Sequence, residues 1–138
     1  MTSGITEILT DSTAVRNLVG LNEAGDKYKI YPFKAPQTEK GPYVVVAKTA
    51  NSTVSQGKEI ESTLDYPTYD VLHYAKNFRT TEELHEATRD ALDNMSSTTA
   101  VCVFKRIWLV TDRDAFDESA DMYVHVTTYA AEQYRTIT

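Results

Sequence analysis

Apolar positions along this chain fall into two periods. Near the N-terminus Ile5, Ile8 and Leu9 recur at i, i+3, i+4, and Val15, Leu18 and Val19 repeat that spacing. Residues 3–19 therefore read as one kinked helix or two short ones. Asp11-Ser12-Thr13 interrupts the pattern: the side-chain oxygen of Asp11 or Ser12 suits a helix cap, and Gly20 supplies the usual C-terminal stop. A second helical stretch covers about 80–95, with Leu84, Ala87, Ala91, Leu92 and Met95 on one face. Thr80 and Glu83 fit a capping box at its start.

The rest of the apolar pattern has strand character. Tyr28 to Tyr31 forms a short strand ended by Pro32, and Tyr43-Val44-Val45-Val46-Ala47 is β-branched, aromatic and short. A further strand starts near Glu59 and runs towards Tyr74, placed at an edge, bulged or broken at Pro67. Val101 to Val110 and Met122 to Ala131 complete the set. In the last strand Met122, Val124 and Val126 are expected to meet the helices, with Tyr123, His125, Thr127 and Tyr129 pointing away. Between these elements Asn51–Gly57 reads as a hairpin tip, Ser96–Ala100 as a polar connector and Thr111–Asp121 as an acidic hairpin loop. Glu132–Thr138 reads as a flexible tail. The sum predicts one α+β domain over 1–138: a mainly antiparallel sheet of four to five strands with two helices on one face, in the order α-β-β-β-α-β-β.

Composition narrows the function classes. A net charge of -6 over 138 residues lacks the cationic excess that phosphate binding needs. The longest apolar run, Tyr43 to Ala47, is far too short to span a membrane, and Met1 to Glu7 lacks the pattern of a signal peptide. One cysteine, Cys102, rules out an internal disulfide and fits synthesis in a reducing cytosol.

Candidate chemistry is sparse. The acidic segment with Asp112, Asp114, Asp117, Glu118 and Asp121 lacks the Gly and downstream Glu of a calcium loop. His85 lies among Glu82, Glu83 and Glu86 and reads as a surface residue. His73 and His125 are candidates to flank each other across strands, which would suit a proton switch, although an ordinary half-buried position is the simpler reading. No histidine pair has helical ligand spacing and no cysteine lies nearby, so no metal or cofactor set is assigned. Cys102 in a strand reads as an inert thiol, and five glycines leave no phosphate loop. The protein is thus expected not to be an enzyme. Nine tyrosines, including Tyr69, Tyr74, Tyr123 and Tyr129, suggest that the open sheet face or its edge is an assembly surface.

An ordered set of short motifs resembles the tail-completion, or tail-terminator, family of long-tailed bacteriophages. It comprises the opening helix ending at Leu18-Val19-Gly20, then Ile30-Tyr31-Pro32, then Pro42-Tyr43-Val44-Val45-Val46, a polar hairpin, a helix ending at Ala91-Leu92 and two closing strands with Ala130 near the end. The similarity spans about residues 3–131. Lys58-Glu59-Ile60-Glu61 departs from the arginine-rich strand start of that family. The resemblance implies a hexameric ring that caps the finished tail tube, halts its polymerisation and receives the head connector. Its partners would be further copies of the chain, a tail-tube protein and a neck protein, with DNA passing through unbound. Its place would be the tail–neck region of a virion made in bacterial cytoplasm. Lys48, Asn51, Gln56, Lys58, Asp112, Arg113, Asp114, Asp117, Tyr69 and Tyr129 are assigned as candidate interface or lumen-facing residues. Two alternatives remain: another neck or head-completion subunit, and a ligand-binding α+β domain with a pocket around Tyr69, His73 and His125.

Overall fold

A computed structural model describes residues 3–22, 24–36, 41–53, 64–93, 95–98 and 103–134. The N-terminal segment is two helices, α1 (Ser3–Asp11) and α2 (Thr13–Val19). The break falls at Ser12, whose extended backbone lets its hydroxyl accept from the Val15 N–H. Gly20 ends α2 at φ 70°, ψ −179°, a conformation closed to side-chain-bearing residues, while its N–H satisfies the Arg16 carbonyl.

The strands are β1 (Ile30–Pro32), β2 (Tyr43–Thr53), β3 (Leu64–Ala75), β4 (Met95–Thr98), β5 (Val103–Asp117) and β6 (Met122–Tyr134), with α3 (Phe78–Leu92) between β3 and β4. They form a single sheet in the order β1-β2-β3-β6-β5-β4. The class is α+β as expected, with three departures from the expected order. The sheet is mixed, because β1 runs parallel to β2 with Ile30 opposite Val44. The described residues form three helices. The short strand β4 stands at the edge where a connector was expected, pairing with β5.

Local chemistry accounts for several details. Pro32 sits on edge strand β1, where no ladder donor is needed. Pro67 lies in an interior strand, but the β3–β6 ladder skips Tyr66 and Pro67 between the pairs Asp65–Gln133 and Thr68–Ala130. Asn77, and not Thr80, caps α3: its side chain accepts from the Arg79 N–H at 2.9 Å. The helix start is thereby one turn earlier, and Thr80 lies inside the helix.

The acidic segment is not a loop. Strand β5 runs on to Asp117 and pairs residue by residue with β6, Asp112 opposite Thr127 and Asp114 opposite His125. Only 118–121 turn the chain. Polarity misleads here, because this part of β5 has no strand on its outer side among the described residues and is wetted without being irregular. Strand β6 likewise continues through Glu132 to Tyr134, which were read as tail.

The three helices share one face of the sheet. Ile5, Leu9, Val15, Val19, Leu84 and Leu92 pack there with Val44, Val46, Tyr69, Val71, Phe104, Ile107, Tyr129 and Ala131. The assignment of β6 faces is therefore reversed: His125, Thr127 and Tyr129 point to the helices, and Met122, Val124 and Val126 to the other side. That second face is not open at its centre. Tyr43, Val45 and Met122 form a smaller buried cluster with Tyr31, Ala35, Leu72, Tyr74 and Ala120 packed on it. Tyr43 and Tyr74 stack at 4.8 Å. With both faces buried, apolar content does not decide which set of β6 residues faces the helices.

Candidate functional site

The most unusual feature of the core is polar. The three histidines, from three different elements, meet on the helix side of the sheet. On α3 the buried residues Thr81, His85, Thr88 and Leu92 follow one another at i, i+4, i+7 and i+11. That stripe turns His85 inward, although Glu82, Glu83 and Glu86 crowd its sequence neighbourhood. His73 on β3 lies directly opposite His125 on β6, and His125 directly opposite Asp114 on β5. The three ring centroids are 6.0 Å (His73–His85), 6.1 Å (His73–His125) and 4.2 Å (His85–His125) apart.

Each ring has a defined set of partners. His73 is fully enclosed; its Nδ1 lies 2.9 Å from the His125 carbonyl and its Nε2 2.9 Å from Thr88 Oγ1. A carbonyl only accepts, so Nδ1 carries the proton and Nε2 accepts from the threonine hydroxyl. Burial lowers the pKa of His73 from 6.5 to about 3, reinforced by the neighbouring His85 and His125 and opposed by the bond to the His125 carbonyl. His73 is a neutral floor.

His85 presents Nδ1 to Thr127 Oγ1 at 3.0 Å and Nε2 to Asp112 Oδ2 at 3.5 Å. Burial, then His125, depress its pKa; Asp112 and Glu86 act in the opposite sense, and Arg89 lowers it. His125 presents Nε2 to the same Asp112 oxygen at 3.2 Å and Nδ1 to Asp114 Oδ1 at 2.5 Å. The carboxylates lie at the rim: the side chains of Asp112 and Asp114 are 45% and 52% exposed, against 8% and 9% for His85 and His125. The arrangement is a dry imidazole floor with an acidic, wet mouth. Among the described residues, His85, Asp112 and His125 form a group able to hold a metal ion, with one ligand atom each and all three atoms within 4.8 Å of one another.

The residues assigned from sequence scatter around this site. Asp112 and Asp114 belong to it; Arg113, between them on β5, projects from the opposite face. Asp117 ends the ribbon and shapes its turn, accepting from Ser119 N–H and Oγ–H and from Ala120 N–H. The Ser119 hydroxyl bond, chiefly, holds its carboxyl below the usual range. Lys48 lies half-buried on β2 opposite Tyr69, and Asn51 opposite Pro67. Gln56, Lys58 and Cys102 lie outside the described residues.

Tyr69 and Tyr129 require correction. They are adjacent partners on β3 and β6, both fully enclosed in the helix-side core. Neither is available to a neighbouring subunit. The Tyr69 hydroxyl donates to Gln133 Oε1 at 2.8 Å, whereas the buried Tyr129 hydroxyl has no hydrogen-bond partner among the described residues. Burial pushes the Tyr129 pKa well above its ordinary value. The pocket expected around Tyr69, His73 and His125 is filled by side chains. A groove of about 710 Å³ lies instead on the second face, between Phe33, Lys34, Leu72, Tyr74, Lys76 and Met122.

Sequence reasoning missed the role of His85 and one aromatic patch. Phe78 at the start of α3, Tyr123 on β6 and Phe116 on β5 pack edge to face at 5.9 and 5.1 Å, each at least 40% exposed. The 81-85-88-92 spacing was the available signal for His85; the aromatic patch had none, since it depends on the ribbon's register.

No protein-family model and no curated protein sequence matches the chain. The fold is similar to that of a solved chain from the "Virion of native gene transfer agent (GTA) particle", with TM-score 0.69 and 16% sequence identity. The superposition covers 96% of this chain and 97% of that one, so the likeness is of whole folds end to end.

Proposed function

We propose that this protein is a structural subunit of a phage-like virion, and that it acts as a tail terminator: a ring, of six copies, that caps the tail tube, stops its growth and offers a surface to the head connector. The observation that carries the virion reading is the end-to-end fold likeness to a chain of a gene transfer agent particle. The terminator role rests on the ordered Ile30-Tyr31-Pro32, Pro42-Tyr43-Val44 and Ala91-Leu92 motifs along that same fold.

The surface suits such assembly. Strand β4 pairs with β5 only between Val103 and Ile107. From Trp108 to Asp117 the outer edge of β5 has no neighbouring strand among the described residues. An unpaired edge of this length is a template for a neighbouring chain, and heterologous contacts of that kind close into rings. Val110 is 53% exposed on this edge, and the Phe78–Tyr123–Phe116 patch lies at its far end. An acidic lumen would repel DNA phosphates and let the duplex slide. No helix of the described residues is long and apolar enough to cross a membrane.

The test is genetic and structural together. Deleting the gene from its particle should leave tail tubes of uncontrolled length, seen by electron microscopy, with headless tails accumulating. Tubes of normal length would overturn the terminator reading.

A further inference from the structure

We propose that His85 Nε2, His125 Nε2 and Asp112 Oδ2 bind a divalent transition-metal ion of the zinc type, tying α3 to the β5–β6 ribbon. The geometry carries this. For metal–nitrogen and metal–oxygen bonds of roughly 2.0–2.1 Å, neighbouring ligand atoms on a tetrahedron lie about 3.3 Å apart. The Asp112 oxygen lies 3.2 Å from His125 Nε2 and 3.5 Å from His85 Nε2. Small side-chain rotations bring all three onto one ion.

The surrounding shell is already of the kind that metal-binding imidazoles use. A ligating histidine donates its other N–H to a carboxylate or neutral oxygen, which fixes its tautomer and aims its lone pair. His125 Nδ1 has Asp114 Oδ1, and His85 Nδ1 has Thr127 Oγ1. Behind them His73, bonded to the His125 carbonyl and to Thr88, holds the β6 backbone and α3 in place without offering a free nitrogen.

Charge is balanced as well. Two neutral imidazoles and the Asp112 carboxylate leave a divalent ion with one residual positive charge, and Asp114 neutralises it. Two nitrogens with one carboxylate oxygen select zinc, cobalt or nickel over magnesium or calcium, which take oxygen sets. The fourth position opens beside the half-exposed Asp112, where water completes the coordination. The site is independent of the terminator reading, and its test does not use assembly.

The experiment is cobalt substitution on the untagged full chain after chelator treatment. One equivalent of Co²⁺ should bring up the visible bands of a four- or five-coordinate ion, and Zn²⁺ should abolish them. Zn²⁺ should also raise the melting temperature. Asp112→Asn removes a rim carboxylate without opening the core, and should weaken Co²⁺ binding more than tenfold and abolish most of the Zn²⁺-dependent rise in melting temperature. Asp114→Asn should weaken binding roughly ten- to a hundredfold through His125. The proposal is overturned if wild type shows neither bands nor a Zn²⁺-dependent melt, or if Asp112→Asn and His125→Gln bind as wild type does. Equal competition by Ca²⁺ or Mg²⁺ would overturn the metal class.

Discussion

Protonating one buried ring should govern the mild-acid stability of this protein. His73 has no exposed surface, and both its nitrogens are committed, one donating and one accepting. A second proton would turn the acceptor Nε2 into a donor facing a hydroxyl, and would place a cation between His85 of α3 and His125 of β6. The folded pKa is therefore depressed, to about 3 from 6.5. For a base this means that the fold favours the neutral ring. The stability is fully present above pH 6.5 and is lost as pH falls from 6.5 towards 3. The slope approaches about 1.4 kcal/mol per pH unit, and the cumulative loss between pH 6.5 and 4.5 is on the order of 2 kcal/mol from this residue. His85, also depressed, adds a loss of the same sign. The assay is urea unfolding at pH 7.5, 6.5, 5.5 and 4.5 with chelator present. The comparison is with His73→Asn, whose amide keeps a donor for the His125 carbonyl. The variant should be less stable at pH 7.5 by about 1–3 kcal/mol, from the lost Thr88 bond and poorer filling. Its decline from pH 6.5 to 4.5 should be shallower than wild type by about 2 kcal/mol. Parallel declines in the two proteins would refute the reasoning, because they would place the titrating group elsewhere.

Four further substitutions test the fold. Tyr129→Phe removes a buried hydroxyl without a partner, so thermal unfolding should show no loss, or a gain of up to about 1 kcal/mol; a loss above that would mean the hydroxyl is paired. Asn77→Ala should cost about 1 kcal/mol, and Thr80→Ala clearly less, as judged by denaturant midpoints; the reverse order would restore the capping box at Thr80. Gly20→Ala meets no steric neighbour but must adopt φ 70°, ψ −179°, at a cost of about 1–3 kcal/mol in the same assay; an unchanged midpoint would refute the backbone argument.

Much of the secondary structure was legible because it rests on local chemistry. The two N-terminal helices, their break near Ser12 and their stop at Gly20 follow from spacing and caps. So do the strands holding Val44–Val46 and Val124–Val126. What could not be read depends on long-range placement. The parallel pairing of β1 is a matter of where the chain returns, not of Ile30-Tyr31-Pro32 itself. The β6 faces were reversed because Val124 and Val126 look more like core than His125 and Thr127, yet both sets are buried. Tyr69 and Tyr129 were placed outside on the same logic, by residue type. The candidate site was half visible: His73 and His125 could be named as candidates to flank each other across strands, but the β3–β6 adjacency that pairs them is long-range, His85 was hidden by its acidic neighbours, and Asp112 by the reading of β5 as loop.

The hydroxyl–imidazole contacts that run through the core, Thr88 to His73 and Thr127 to His85, also act as a key between layers. Apolar ridges tolerate sliding: a helix displaced by one turn, about 5.4 Å along its axis, still buries leucine against valine. These two pairs do not tolerate it, since displacement would strand buried donors and acceptors that only one alignment of α3 on β3 and β6 can satisfy. Replacing all four by apolar residues of similar volume should leave a core that is no less cohesive but has lost the means of choosing where its helix stops.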